Sequence, residues 1–211
     1  MRLGLFGGTF DPVHNAHLFV AEGAREELEL DRMIFVPAKG GHYRDEAPTA
    51  SVADRVAMLN VAIASNPRFG LDDADLAADA SGYTADLIPV LRSRHPSNEF
   101  TFVVGADSLL EAPWGRFDEV LDALDGFAIA PRADRPLDPL RDLIARLSEP
   151  RRRKVRILGL PLLAESATLV RERLAAGETI RYIVPEPVWD YIVEHRLYRQ
   201  GSRAQGPQRP G

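Results

Sequence analysis

Short apolar runs alternate along the chain with longer amphipathic stretches. Residues 2–6, 33–37, 68–71, 99–105, 126–130 and 155–158 are dominated by Leu, Ile, Val, Phe and Ala with little polar alternation, the pattern of strands buried on both faces of a parallel sheet. Between them, apolar residues recur at helical spacing. Residues 18–30 read as one helix. Ser51 can cap another that runs to about residue 65, with Val52, Arg55, Val56, Leu59 and Ile63 on its periodic positions; Asn66-Pro67 then stops it. Further helices are predicted from Thr84 to about residue 94, over 117–124 and 137–147, after Ser166, and over 188–194. This alternation predicts an α/β fold, a doubly wound and mostly parallel sheet with ligands at the carboxyl ends of its strands.

Composition narrows the picture. A chain of 211 residues can bury one substantial core, read here as a single domain over 1–198 whose last part, about 160–198, is a small helical subdomain. From 199 to 211 the chain is Gly, Gln, Pro, Ser and Arg with a single Ala and no large apolar anchor, a composition expected to stay disordered. There are no cysteines, which excludes thiolate metal sites, disulfides and cysteine nucleophiles. No apolar run reaches the length of a membrane span, and the chain enters its first strand at once; a cytoplasmic location and no membrane partner are expected. The net charge of −5 argues against a nucleic-acid partner. An anionic small substrate then depends on a local basic site, and a homo-oligomer stays open.

The densest chemistry lies at the first strand-to-helix turn, Gly7-Gly8-Thr9-Phe10-Asp11-Pro12-Val13-His14-Asn15-Ala16-His17. Glycines allow close backbone approach, and a helix start offers N–H groups and a positive dipole end to phosphate. His14 and His17, three apart, fall near one face of the helix entrance. Other positions support two readings each. Lys39, His42 and Arg44 in the 38–50 loop fit a solvated loop or a substrate lid. Thr84 fits a helix cap or a ligand contact. Asp107, in Gly105-Ala106-Asp107 at a strand end, fits a ribose contact or a cap. Trp114 fits the core or a ring platform, and Arg132 fits phosphate binding or pairing with nearby acids. The basic run 151–154 reads as a solvated turn. Ser166, Thr168 and Arg171 at a helix start form a capped helix or a second phosphate cradle.

The ordered set Gly-Thr-Phe-Asp-Pro, His14-x-x-His17, Tyr83-Thr84-Ala85-Asp86, Gly105-Ala106-Asp107, Trp114 and Ser166-x-Thr168-x-x-Arg171 resembles the nucleotidylyltransferases, and among them the nicotinate mononucleotide adenylyltransferases. The likeness runs from residue 3 to 198, and Val184, Pro185, Val188, Tyr191 and Ile192 fit the family's closing segment. Departures are Ala16 for a Gly between the histidines, Gly82 and Leu87 around Tyr83-Thr84, and Glu165 and Ala167 in the late motif. By residue count Arg44 stands where the family has a phosphate-binding Lys.

The resemblance implies a Rossmann-like nucleotidylyltransferase fold and adenylyl transfer from ATP to nicotinate mononucleotide, with Mg²⁺ accompanying ATP and no fixed protein metal ligand. It implies catalytic roles for His14, His17 and Arg171. For ATP it implies binding by these three with Gly7, Gly8, Thr9, Phe10, Arg44, Gly105, Asp107, Ser166 and Thr168. For the mononucleotide it implies Thr9, Tyr83, Thr84, Trp114 and Arg132. Competing readings are a related transferase acting on nicotinamide mononucleotide, phosphopantetheine or glycerol phosphate, and a non-catalytic nucleotide-binding module.

Overall fold

The computed structural model describes residues 1–39, 48–110, 114–133 and 136–198. Six strands, β1 (Arg2–Gly8), β2 (Arg32–Pro37), β3 (Phe69–Leu71), β4 (Glu99–Gly105), β5 (Gly126–Ala130) and β6 (Val155–Ile157), form one sheet in the order β3-β2-β1-β4-β5-β6. Every pairing is parallel. The doubly wound architecture expected from the alternating runs is therefore present. The chain leaves β1 toward one edge and β4 toward the other, so a crevice opens between their carboxyl ends.

Helices cover both faces. α1 (Asn15–Glu27), α2 (Val52–Ile63), α8 (Ala167–Ala175) and α9 (Glu186–Glu194) share a core with Phe6, Met33, Phe35 and Val103. α3 (Thr84–Arg94), α5 (Phe117–Ala123) and α6 (Asp138–Ala145) pack on the other face against Leu5, Phe100, Phe102 and Phe127. Alternate residues of one strand thus feed different cores, as a period of two demands. The C-terminal helices reach the first core through Val170, Val188 and Ile192, all buried. Among the described residues no helix is long and apolar enough to cross a membrane.

Several boundaries differ from the sequence reading. β1 continues to Gly8, and α1 begins at Asn15 with His14 as its N-cap, not at residue 18. A short helix, α4 (Ala106–Leu110), follows β4 directly. The basic run is not a free solvated turn. It lies partly in α7 (Glu149–Arg152), where Arg151 pairs with Asp118 at 2.6 Å and Asp122 at 2.8 Å, and Lys154 donates to the carbonyls of Leu121 and Leu124. These cations secure the end of α5. Arg44 and the 199–211 tail lie outside the described residues.

Candidate active site

At the crevice, sterics explain the two glycines. A Cβ on Gly8 would sit 2.9 Å from the ring of Phe10, and one on Gly7 would sit 2.8 Å from the ring of Phe102. The turn therefore folds back on aromatic side chains. Phe10 takes a left-handed φ of 50° and is buried, packing against Phe6 and, at 5.0 Å and 71°, edge-on against His17. Its side chain belongs to the core and holds the His17 ring in place.

His14 and His17 meet as the helical spacing anticipates, with ring centroids 3.7 Å apart. The His14 backbone N–H donates to His17 Nδ1 at 3.2 Å. An accepting Nδ1 puts the proton of the neutral ring on Nε2, which becomes a donor. Burial lowers the His14 pKa to about 3, with the nearby Arg132 charge adding to the effect. His17 is held well below its ordinary value by burial first, then by His14 and Arg132. Both rings are thus neutral at pH 7. His14 Nδ1 is buried without a hydrogen-bond partner among the described residues, which leaves a polar atom waiting at the site.

Arg132 follows β5, and its guanidinium donates to the Glu165 carbonyl at 3.2 Å. Its charge acts on both histidines, and the bond to Glu165 sets it next to the start of α8. There Ser166 caps α8 by accepting from Leu169 N–H at 3.1 Å. Arg171 donates to Thr168 Oγ1 at 3.2 Å and to the Asp11 carbonyl at 2.7 Å. The late motif is thereby tied to the first turn. The start of α1 is also clamped, because Asn15 N–H donates to Ile183 O at 2.9 Å and the Asn15 side chain to Tyr182 O at 2.6 Å. Part of the donor set that a free helix start would offer phosphate is taken by the protein itself.

Three residues without an assigned role on the sequence hold this turn from below. The buried Asp11 carboxylate accepts from Thr49 N–H at 2.7 Å, Ala50 N–H at 3.0 Å and the Tyr198 hydroxyl at 2.8 Å. Arg55, 1% exposed, donates to the carbonyls of Thr9 at 2.6 Å and Ala38 at 2.8 Å. Burial lowers the Arg55 pKa, and the Asp11 charge opposes that shift. Arg55 appeared in the sequence only as one position of an apolar helix face. A charge in that face was the available signal, because a buried Arg requires acceptors.

The second wall of the crevice is built differently. The N-cap of α3 is Tyr83, not Thr84, and its side chain makes no cap bond. Ser81 Oγ instead accepts from Tyr83 N–H at 3.2 Å and donates to Asp86 Oδ2 at 2.8 Å. Thr84 opens the helix, so its hydroxyl is not used as the cap. Trp114 is partly buried, with its Nε1–H on the Ser108 carbonyl at 3.0 Å and its edges against Phe102, Phe117 and Phe127. A Cβ on Gly105 would collide with the Asp107 carboxylate, so Gly105 lets that carboxylate fold over the end of β4. A separate polar cleft of about 450 Å³ lies at the opposite, amino ends of the strands, lined by Arg2, Glu27, Asp125 and Lys154.

The corner gathers two imidazoles with the guanidinium groups of Arg132 and Arg171, donors of the kind an anion needs. The chain as a whole is similar to known proteins. A cytidylyltransferase-like family model matches residues 5–173. A protein of Symbiobacterium thermophilum named "Probable nicotinate-nucleotide adenylyltransferase" is 37% identical, covering 95% of this chain and 97% of its own. One of the same name from Thermomicrobium roseum is 39% identical over 94% and 92%. The nicotinic acid mononucleotide adenylyltransferase of Plasmodium falciparum, solved with NaAD, has the same fold, with a TM-score of 0.75 at 19% identity over 93% of this chain and 97% of that one. The chain therefore belongs to the cytidylyltransferase-like family and, within it, to the nicotinate-nucleotide adenylyltransferases.

Proposed function

We propose that this chain transfers the adenylyl group of ATP to nicotinate mononucleotide, giving nicotinate adenine dinucleotide and pyrophosphate in NAD biosynthesis. The observation that carries the reading is the neutral histidine pair beside Arg132, with His14 Nδ1 unpartnered, at the crevice between β1 and β4. A phosphate oxygen of the mononucleotide attacks the α-phosphorus. The bond from that phosphorus to the oxygen bridging it to the β-phosphorus breaks, and pyrophosphate leaves with the electron pair. No protein nucleophile is needed. The protein aligns two anions and stabilises the charge that moves to the leaving group.

His17, with its proton on Nε2, donates to the α-phosphate region, and its orientation is fixed by Phe10 and by the His14 N–H. Thr168 and Arg171 face the β- and γ-phosphates from the start of α8. Arg132 supplies positive charge between the two groups. Imidazoles and guanidinium groups suit phosphate better than a hard cation. Mg²⁺ is read as a companion of ATP, held through phosphate oxygens and water, and it would neutralise triphosphate charge.

On the other wall, Tyr83 and Thr84 offer the start of α3 to the pyridine carboxylate, and Trp114 lies against the ring. Backbone N–H groups present donors only, so an amide nitrogen there would face another donor. The acid is therefore expected to be preferred over nicotinamide mononucleotide. Pyrophosphate release measured with nicotinate mononucleotide, nicotinamide mononucleotide and phosphopantetheine tests the whole reading. Fastest turnover is expected with the acid. Equal release with phosphopantetheine, or none with any pyridine nucleotide, would overturn it.

A further inference from the structure

The wall along α3 carries three charges that the transfer reaction does not use. Arg116 Nη1 donates to Asp86 Oδ1 at 2.6 Å, while its Nε and Nη2 form a fork on Glu119 at 3.0 and 2.7 Å. The second Asp86 oxygen accepts from the Ser81 hydroxyl. Asp86 stands in the first turn of α3, two residues after Thr84. Arg116 stands two residues after Trp114 in the chain, and the intervening Gly115 lies against Tyr83, where a Cβ would sit 3.5 Å from the ring. The cluster therefore bridges the two segments assigned to the pyridine.

An acid in the first turn suits the helix dipole, but it repels a second carboxylate brought to the same turn. Nicotinate mononucleotide carries one more negative charge than its amide. Two carboxylates against one guanidinium leave this corner one negative charge in excess, and without Arg116 the excess would be two. Arg116 adopts a left-handed φ of 62° at the N-cap of α5, a conformation unusual for a long side chain, and from there it reaches across to α3.

We propose that Arg116 is a specificity-determining residue: by cancelling the charge of Asp86 beside the Tyr83–Thr84 turn, it permits an acidic pyridine to be preferred over its amide. This rests on the mononucleotide site proposed above. It makes the acid-to-amide ratio follow the local charge, whatever happens to ATP binding. Both partners are part-exposed, with side chains 44% accessible, so the effect is moderate and salt-dependent.

The test is kcat/KM for nicotinate and nicotinamide mononucleotides at saturating ATP, in wild type, R116A, R116K, D86N and the double variant D86N/R116A, at low and high salt. R116A is expected to lower the acid-to-amide ratio about three- to tenfold, the scale of one added charge a few ångströms away in a high-dielectric setting. R116K should keep the ratio, D86N should raise it, and the double variant should return it near wild type. High salt should compress all of these differences. If R116A lowers both substrates equally, or the double variant fails to restore the ratio, Arg116 is only a clamp between α3 and α5 and the proposal falls. Should R116A not fold, an unchanged ratio in D86N overturns it equally. Wild-type enzyme that turns over neither mononucleotide would overturn the parent reading instead, a result distinct from an altered or unaltered ratio.

Discussion

The two walls of the crevice solve opposite electrostatic problems. The wall proposed for phosphate is the drier one: His14 is 1% exposed, His17 is half-buried, both imidazoles are neutral, and Arg55 and Asp11 are buried beneath them. The wall proposed for the pyridine is wet. Asp86, Arg116 and Glu119 meet at the surface, and Arg116 holds both carboxyl groups below their ordinary range. In a low-dielectric corner a fixed donor is strong, because no water competes and nothing must reorganise as charge moves. At an exposed wall each interaction is weak, but the balance of charges can still separate two similar ligands. The first wall is suited to rate and the second to choice.

The largest effect that could break this division comes from His17. His17→Ala removes a preorganised donor from the dry wall, so kcat should fall on the order of 10²–10³-fold with little change in the affinity of either nucleotide. Steady-state kinetics in both substrates decides the matter. A folded variant with near-normal kcat would place the chemistry elsewhere.

The next effect concerns the support beneath that wall. Asp11→Asn turns one acceptor oxygen into an NH₂ group facing Thr49 N–H, Ala50 N–H or the Tyr198 hydroxyl, which all donate to it now. It also leaves the Arg55 charge without its buried counterion. A loss of about 2 kcal/mol is expected from an unsatisfied buried donor alone, read as a lower denaturant midpoint at unchanged slope. Equal stability would mean that the turn is held by Arg55 and its carbonyls.

These two variants also mark how far the sequence was readable. Strands, most helices, the histidine pair and the Ser166 cap rest on local spacing, and they stand where spacing put them. The support did not show itself, because its members are far apart: Asp11 and Tyr198 are separated by 187 residues and Arg55 and Thr9 by 46, and the ties Asp11–Arg171 and Asp86–Arg116 span 160 and 30. Periodicity carries no record of such pairs. Where local reading failed, a tertiary contact took over. Thr84 reads as a cap by residue type, but Ser81 bridges Tyr83 and Asp86 and moves the cap one residue earlier. The Gly7-Gly8 pair reads as room for a ligand, while the atoms that a Cβ would strike there are Phe102 and Phe10.

Arg171→Ala sharpens the comparison at a smaller scale. Its guanidinium joins Thr168 to the first turn on the phosphate side. KM for ATP should rise about tenfold, the loss of one charge-assisted contact of about 1.5 kcal/mol, with mononucleotide affinity nearly unchanged. Equal weakening of both substrates would make Arg171 a structural tie between α8 and Asp11.

The smallest expected effect tests whether the dry wall is as uncharged as its burial implies. An unfolded histidine titrates near 6.5, whereas His14 in the fold titrates at about 3 because it is buried. Between these values the unfolded chain binds more protons than the native one, so stability rises with pH and is lost as pH falls from about 6.5 toward 3. One such group contributes a slope approaching about 1.4 kcal/mol per pH unit once the unfolded ring is protonated, and His17 adds in the same direction. The other wall adds little between pH 7.5 and 5.5, because Asp86 and Glu119, both held below their ordinary values, stay ionised there folded or unfolded. Thermal unfolding at pH 7.5, 6.5 and 5.5 should therefore show a decline that His14→Asn reduces. Bound ATP should also reduce it, because a triphosphate beside the rings favours their protonated form and restores proton uptake to the native state. A decline of the same slope in wild type and His14→Asn, with or without ATP, would mean that the rings are solvated and charged like ordinary surface histidines, and the contrast between the two walls would collapse.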